Sequence, residues 1–268
     1  MAALQGVGVL VTRPEQQAMA LCRLLEAEGA STLRLPAIDI KAAGDRRETL
    51  PRLGALREFD LIIFTSANAV RFGASLLDQQ RDLTLVAIGP ATARALNQAG
   101  YRVAGVPPVR SSAALPRGTS DSESLLLHPK LERPAGQRIL IITGSNGRPF
   151  LEQELTRRGA EVVMAEVYRR VPVTLSPAVL ASLVDSFRQG AVQVITATSL
   201  EIAGSLLRLA TPALRSEFER VHWLVPGERV AAGVRELGLA APLLSATSAD
   251  DQDLVSALVR WRSTVSGA

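Results

Sequence analysis

"LIIFTSANAV", residues 61–70, decides how this chain is read. Leu61-Ile62-Ile63-Phe64 is an apolar run without polar alternation, the pattern of a strand buried on both faces. It stops at Thr65-Ser66-Ala67-Asn68, where short polar side chains of the kind that accept from free helix amides mark a helix start. A buried strand that passes straight into a helix belongs to a parallel sheet with helices on both faces. The same join returns at residues 194–203 as "VITATSLEIA".

Outward from that stretch the pattern alternates. Strand-like segments are expected at 6–12, 60–65, 84–88 and 101–106, with an extended run at 31–40 in which Pro36 marks an edge or crossing segment. Residues 15–28 place Ala18, Leu21, Cys22 and Leu25 on one helical face, and Gly29 closes that helix. Further helices are expected at 67–77, 91–99 and, after a Pro/Ser-rich connection, near 121–127, where Asp121 or Ser122 could cap.

The second half of the sequence repeats the first. "VLVTRPEQQAMALCRLLEAEGA" is echoed by "LIITGSNGRPFLEQELTRRGA", aligning Thr12 with Thr143 and Gly29 with Gly159. "FTSANAV" aligns with "ATSLEIA", pairing Thr65 with Thr198 and Ser66 with Ser199, and "AIGPATARALNQAG" aligns with "LVPGERVAAGVRELG", pairing Gly89 with Gly227. The offsets drift only by loop length, which is the mark of one duplicated βαβ-rich unit. Two similar doubly wound parallel-sheet α/β domains follow.

Composition narrows the function. The chain has 268 residues, 47% hydrophobic and 21% charged, and no apolar run near the ~20 residues needed to span a bilayer. The N-terminus leads directly into a strand pattern rather than a cleavable leader, so a cytoplasmic protein is expected. Cys22 has no second cysteine to pair with and reads as a small core residue. His128 and His222 offer neither metal-ligand spacing nor a catalytic triad, so no metal site is expected from them and any chemistry must run without histidine or thiol. A net charge of +4 with only 4% aromatics and scattered cations favours a small polyanionic ligand over nucleic acid.

Candidate binding residues gather at strand-to-helix joins, where ligands of parallel sheets collect. Thr12, Ser66 and Ser199 are explained equally by capping or by a ligand; together with Thr65, Asn68 and Thr198 they supply hydroxyl and amide groups suited to carboxylates or phosphates. Gly89 before Pro90 and Gly227 after Pro226 expose helix amides at two more joins. Gly144-Ser145-Asn146-Gly147-Arg148 is the richest such loop but lacks the glycine pattern of a dinucleotide site and the lysine of a P-loop. Arg13 and Arg148 hold comparable positions in the two copies. Tyr168, in "EVYRR", reads either as an amphipathic ring at a domain boundary or as a phenol able to donate a proton to a leaving group.

Taken in order, "VLVTRP", "FTSANAV", "AIGPATA", "ILIITGSNGRPFL", "GAEVVMAEVYRR", "ATS" and "VPGERVAAGVRELG" resemble the uroporphyrinogen-III synthase family, over about residues 7–260. The resemblance implies two α/β domains, 1–37 with 172–268 and 38–171, joined by two crossing strands, "LRLPAIDIKA" and "EVVMAEVYRR", with the active-site cleft between the domains. It implies a cofactor-free lyase acting on hydroxymethylbilane, a linear tetrapyrrole with eight carboxylates. That substrate loses water to an azafulvene and closes through a spiro intermediate with ring D inverted. Tyr168 is then the residue assisting departure of the hydroxyl. Thr12, Arg13, Thr65, Ser66, Asn68, Gly89, Ser122, Gly144, Arg148, Thr198, Ser199 and Gly227 are the substrate-binding candidates. A monomer with neither nucleic-acid nor membrane partners is expected, and transient contact with hydroxymethylbilane synthase stays open. A non-catalytic carboxylate-binding relative stays open as the alternative, because Ala197 and Pro226 depart from the family pattern, and a nucleotide-using transferase is the third reading.

Overall fold

The computed structural model describes residues 2–44, 55–78, 80, 82–105, 121–145, 147 and 149–266. In chain order these form β1 (Gly8–Val11), α1 (Glu15–Ala27), β2 (Ser31–Arg34), β3 (Ile38–Ala42), β4 (Leu61–Phe64), α2 (Ala67–Gly73), β5 (Leu85–Ala87), α3 (Pro90–Gln98), α4 (Asp121–Leu125), β6 (Arg138–Gly144), α5 (Phe150–Arg157), β7 (Glu161–Pro172), α6 (Pro177–Arg188), β8 (Val194–Thr196), α7 (Leu200–Leu209), α8 (Pro212–Arg220), β9 (His222–Pro226), α9 (Gly227–Glu236), β10 (Leu243–Ala246) and α10 (Asp251–Ser266). They divide into two compact units, Met1–Asp39 with Val171–Ala268, and Ile40–Arg170.

The first unit holds a five-stranded sheet in the order β10-β9-β8-β1-β2, with every pair parallel. β1 is buried on both faces, as its apolar run requires. Val9 and Val11 face a core with Leu21 and Leu25 of α1 and Leu254 and Leu258 of α10. Another part of the core is aromatic: Phe218 meets Phe187 and Trp223 edge-on at 5.7 and 5.6 Å, and the Trp223 indole donates to the Phe218 carbonyl at 2.9 Å. That bond removes the cost of burying the indole N–H.

The second unit carries the sheet β3-β7-β6-β4-β5. The β4/β5, β4/β6 and β6/β7 pairs are parallel, and β3 runs antiparallel along β7, as the bonds from Ala43 to Val167 and from Val173 to Ala37 show. Alternate residues of β4 and β6 sort to opposite faces. Ile62, Phe64, Leu140 and Ile142 pack with Val70, Leu77 and Leu96. Leu61, Ile63, Ile139 and Ile141 pack with Leu125, Leu131, Leu151 and Leu155.

The sheet orders make the duplication legible in three dimensions. Read as β9-β8-β1-β2 and β5-β4-β6-β7, the two sheets have the same order, each strand of one taking the position that its sequence equivalent holds in the other. Each unit therefore combines one half of the first sequence copy with the complementary half of the second. In both, the chain reverses its direction of advance across the sheet at the two central strands, β1/β8 and β4/β6, the switch point where ligands of such sheets bind.

Two segments differ from the sequence reading. The helix expected at 67–77 is α-helical only to Gly73 and tightens into a 3-10 turn over Ala74–Leu77. The strand expected at 101–106 makes a single bridge, Val86 to Gly105, within its described part. Pro107 and Pro108 follow immediately in the sequence and cannot donate to a ladder.

Both histidines are buried enough for their charged forms to be penalised. His128, 6% exposed, accepts from the Lys130 amide at 3.2 Å through Nδ1; its pKa is pushed below the usual 6.5 by desolvation first and Lys130 second. His222, with its ring 4.9 Å from Trp261, is lowered by desolvation alone. The unfolded chain therefore binds protons that the folded chain refuses, so stability is full above about pH 6.5 and is lost as pH falls through the folded values. The urea midpoint is expected to be flat above about pH 7 and to decline towards pH 5. His128→Gln and His222→Gln are each expected to flatten part of that decline; an unchanged slope in both would dissociate it from the histidines.

Candidate active site

At the carboxyl end of β4 the backbone of Ser66 is extended, and its hydroxyl accepts from the Ala69 amide at 2.9 Å, capping α2. Beside it, Thr65 donates to Thr143 Oγ1 at 2.8 Å, tying the ends of β4 and β6 together at the switch point. Gly89 caps α3 with Pro90 in the first turn and open space where a Cβ would lie. Asn68 and Ser122 are half-buried. Arg148 and Asn146 lie outside the described residues, so the richest loop of the sequence is represented by Gly144, Ser145 and Gly147.

Tyr168 sits on β7 beside this rim and is only 4% exposed. A Cβ on Gly144 would stand 2.4 Å from its Cζ, so β6 needs glycine there for the ring to lie against the backbone. The β6/β7 register shifts at the same point, and the Ser145 amide donates to the Tyr168 carbonyl at 2.7 Å. The ring stacks on Phe72 at 6.0 Å, and the Arg170 guanidinium lies 5.9 Å from its centroid. The phenol oxygen is 3.1 Å from Ser66 Oγ. A phenol held by packing on its ring and by one hydroxyl at its tip has a fixed oxygen position, the geometric requirement for a general acid.

The rim of the first unit repeats the theme with one correction. Ser199 caps α7 by accepting from the Ile202 amide at 3.2 Å, as Ser66 does for α2. Thr12 does not cap α1: Pro14 occupies that position, and Thr12 is fully buried. Its hydroxyl donates to the Thr196 carbonyl, while its amide donates to Thr196 Oγ1 at 3.3 Å and Thr196 Oγ1 donates to the Leu10 carbonyl at 3.2 Å. The threonine pair locks β1 to β8 instead of facing the rim.

Arg13 is likewise committed within the unit, where it is 8% exposed. Its guanidinium pairs with Asp251, donates to the Ala249 carbonyl, and reaches Thr198 Oγ1 at 3.4 Å through Nε. Gly227 takes φ +67 at the first residue of α9, a left-handed conformation that side chains resist, with open space at its Cβ position. Thr198, Ser199, Pro226 and Arg229 line a cavity of about 290 Å³ at these strand ends. Arg229 escaped the sequence reading. It is exposed in the first turn of α9, with no ion pair among the described residues. A cation at that end opposes the helix dipole by roughly 0.3–1 kcal/mol, which an anionic ligand would offset.

Thr143, Thr196, Phe72 and Asp251 also escaped notice as site-building residues. For Thr143 the signal was present, since it aligned with Thr12; Asp251 is distant in sequence from everything it supports.

Two doubly wound α/β units made from exchanged halves of a duplicated chain, each with capped helix starts at its switch-point rim and one with a mounted phenol, define a two-unit α/β class with rims suited to anionic ligands. A family model described as uroporphyrinogen-III synthase HemD matches residues 20–255. Uroporphyrinogen-III synthase of Escherichia coli K12 is 32% identical, covering 94% of this chain and all of the relative, and that of Salmonella typhimurium LT2 is 34% identical with the same coverage. The chain belongs to the uroporphyrinogen-III synthase family. A crystal structure of mutant uroporphyrinogen III synthase from the extreme thermophile Thermus thermophilus shares the fold, with a TM-score of 0.56 at 23% identity over 98% of this chain and the whole of that one.

Proposed function

We infer that this chain is an enzyme with uroporphyrinogen-III synthase activity, a lyase that closes hydroxymethylbilane with loss of water and inversion of ring D. Beyond family membership, the observation that carries the reading is the phenol of Tyr168, held by Gly144, Phe72 and Ser66 at the rim of the second unit. The hydroxymethyl carbon–oxygen bond breaks with its electron pair staying on oxygen, which takes the phenol hydrogen and leaves as water. The phenolate recovers a proton from the pyrrole nitrogen of the cation so formed, giving the neutral azafulvene that ring D attacks.

Such a substrate ionises readily, so most of the enzyme's task is to hold its ends for the spiro route. Thr65, Asn68, Gly89 and Ser122 in the second unit and Thr198, Ser199, Gly227 and Arg229 in the first are the proposed carboxylate-binding groups, with the first-turn amides left over by the caps. Arg148 joins them on its sequence position alone. Thr12, Arg13 and Gly144 support the rims from behind.

The test supplies freshly generated hydroxymethylbilane and determines the product isomer. Isomer III above the spontaneous isomer I is the expected result; isomer I alone would favour the non-catalytic carboxylate binder. Tyr168→Phe is expected to lower kcat about a hundredfold, the low end of what a general acid contributes, while still giving isomer III. Wild-type turnover in that variant would remove Tyr168 from the chemistry.

The reading extends to a monomer acting in the cytoplasm, with neither nucleic-acid nor membrane partners. Among the described residues no helix is long and apolar enough to cross a membrane. Because the substrate closes spontaneously, transient contact with hydroxymethylbilane synthase would shorten its exposure to water.

A further inference from the structure

Ser66 and Tyr168 share one hydrogen bond and own two hydroxyl hydrogens. Ser66 Oγ already accepts from the Ala69 amide at 2.9 Å, which fixes the oxygen, and it lies 3.1 Å from the phenol oxygen. Among the described residues neither hydroxyl has another side-chain or backbone partner. A serine hydroxyl carries one hydrogen and two lone pairs, so either group can donate across the contact. If the phenol donates, its hydrogen is spent on Ser66 and is withheld from a leaving oxygen. If Ser66 donates, the phenol hydrogen is left over.

The surroundings favour the second arrangement. An amide donating to Ser66 Oγ polarises the serine O–H and makes it a better donor, because bonds in a chain strengthen one another. The sequence Ala69 N–H to Ser66 O–H to Tyr168 O then runs in one direction and ends on the atom that gains negative charge as the phenol releases its hydrogen. A donor fixed beforehand on developing charge stabilises the transition state more than the ground state. The ring cannot turn away to seek another partner, since Gly144 and Phe72 hold it.

We propose that Ser66 is a positioning residue that donates to the Tyr168 phenol oxygen and so directs the phenol hydrogen towards the departing hydroxyl, rather than a ligand for a substrate carboxylate. This rests on the assignment of Tyr168 as the acid.

Five variants of the full chain test it with freshly generated hydroxymethylbilane: Ser66→Gly, Ser66→Thr, Ser66→Asp, Tyr168→Phe, and Ser66→Gly combined with Tyr168→Phe. Glycine caps nearly as well as serine and keeps α2 in place. Ser66→Gly is expected to lower kcat about tenfold, the worth of one hydrogen bond, with KM within about twofold. Ser66→Thr restores kcat. Ser66→Asp retains the cap but offers only acceptors, captures the phenol hydrogen and lowers kcat at least as far; it also serves as the informative variant should the glycine protein fail to fold. In the Tyr168→Phe background Ser66→Gly adds no further loss. A raised KM at unchanged kcat would make Ser66 a substrate ligand and overturn the proposal, as would full kcat in Ser66→Asp or an undiminished loss in the double variant. Normal turnover in Tyr168→Phe alone would instead sink the parent assignment, which keeps the two failures apart.

Discussion

Gly144→Ala is expected to cost the protein about 1–3 kcal/mol of stability and to lower kcat at least as far as Tyr168→Phe does. The added methyl would stand 2.4, 2.6 and 2.8 Å from three ring atoms of Tyr168, distances at which something must shift. The backbone of β6 is held by its pairing with β4 and β7, so the ring has to yield. Phe72 stands against it, so a yielding ring also loses a stacked partner. Any such movement takes the phenol oxygen off its 3.1 Å contact with Ser66. Denaturant midpoints and steady-state rates on the same preparation check both halves. In a Tyr168→Ala background, where the ring no longer obstructs the methyl, the additional stability cost should vanish. If it persists, the ring is not the obstacle.

The second large effect is expected at the ion pair between Arg13 and Asp251, whose side chains are 10% and 24% exposed. Asp251→Asn leaves a buried guanidinium with the Ala249 carbonyl and Thr198 as its remaining partners, and removes an acidic residue from the first turn of α10. Breaking a fully buried pair costs about 3–5 kcal/mol, and partial exposure of the carboxylate reduces that to roughly 2–3. Arg13→Met costs less, because the orphaned Asp251 turns more easily to water. The combined variant is expected to fall well short of the sum, since neither charge is then left alone. Urea titrations of the three proteins give the comparison. An Asp251→Asn protein as stable as the wild type would show that the pair is dispensable and would return Arg13 to the carboxylate-binding candidates.

Local features of this fold were legible in the sequence and lateral ones were not. The run at 61–64 with Ser66 after it announced a buried strand and a capped helix because both signals lie within six residues. The hydroxyl of Thr12 suggests a cap, but Pro14 sets the start of α1 and leaves the threonine two residues upstream, free to bond sideways to Thr196. The mount of Tyr168 needed glycine at 144 for a reason that only the neighbouring strand supplies. Arg13 meets Asp251 across 238 residues, which no spacing rule connects. Arg229 sits where a surface arginine needs no explanation; its lack of an ion pair among the described residues and the cavity beside it appear only in three dimensions.

The exchange of halves between the two units sets the order in which a nascent chain can fold. The Ile40–Arg170 unit is contiguous and can close as soon as it leaves the ribosome. β1 must wait for β8, with 184 residues separating Thr12 from Thr196, which at roughly 5–20 residues per second is a delay of about ten to forty seconds. Through that interval the first two strands and α1 carry Val9, Leu10, Val11, Leu21 and Leu25 with no sheet to receive them, so the emerging N-terminal segment is the part that would need a chaperone's shelter.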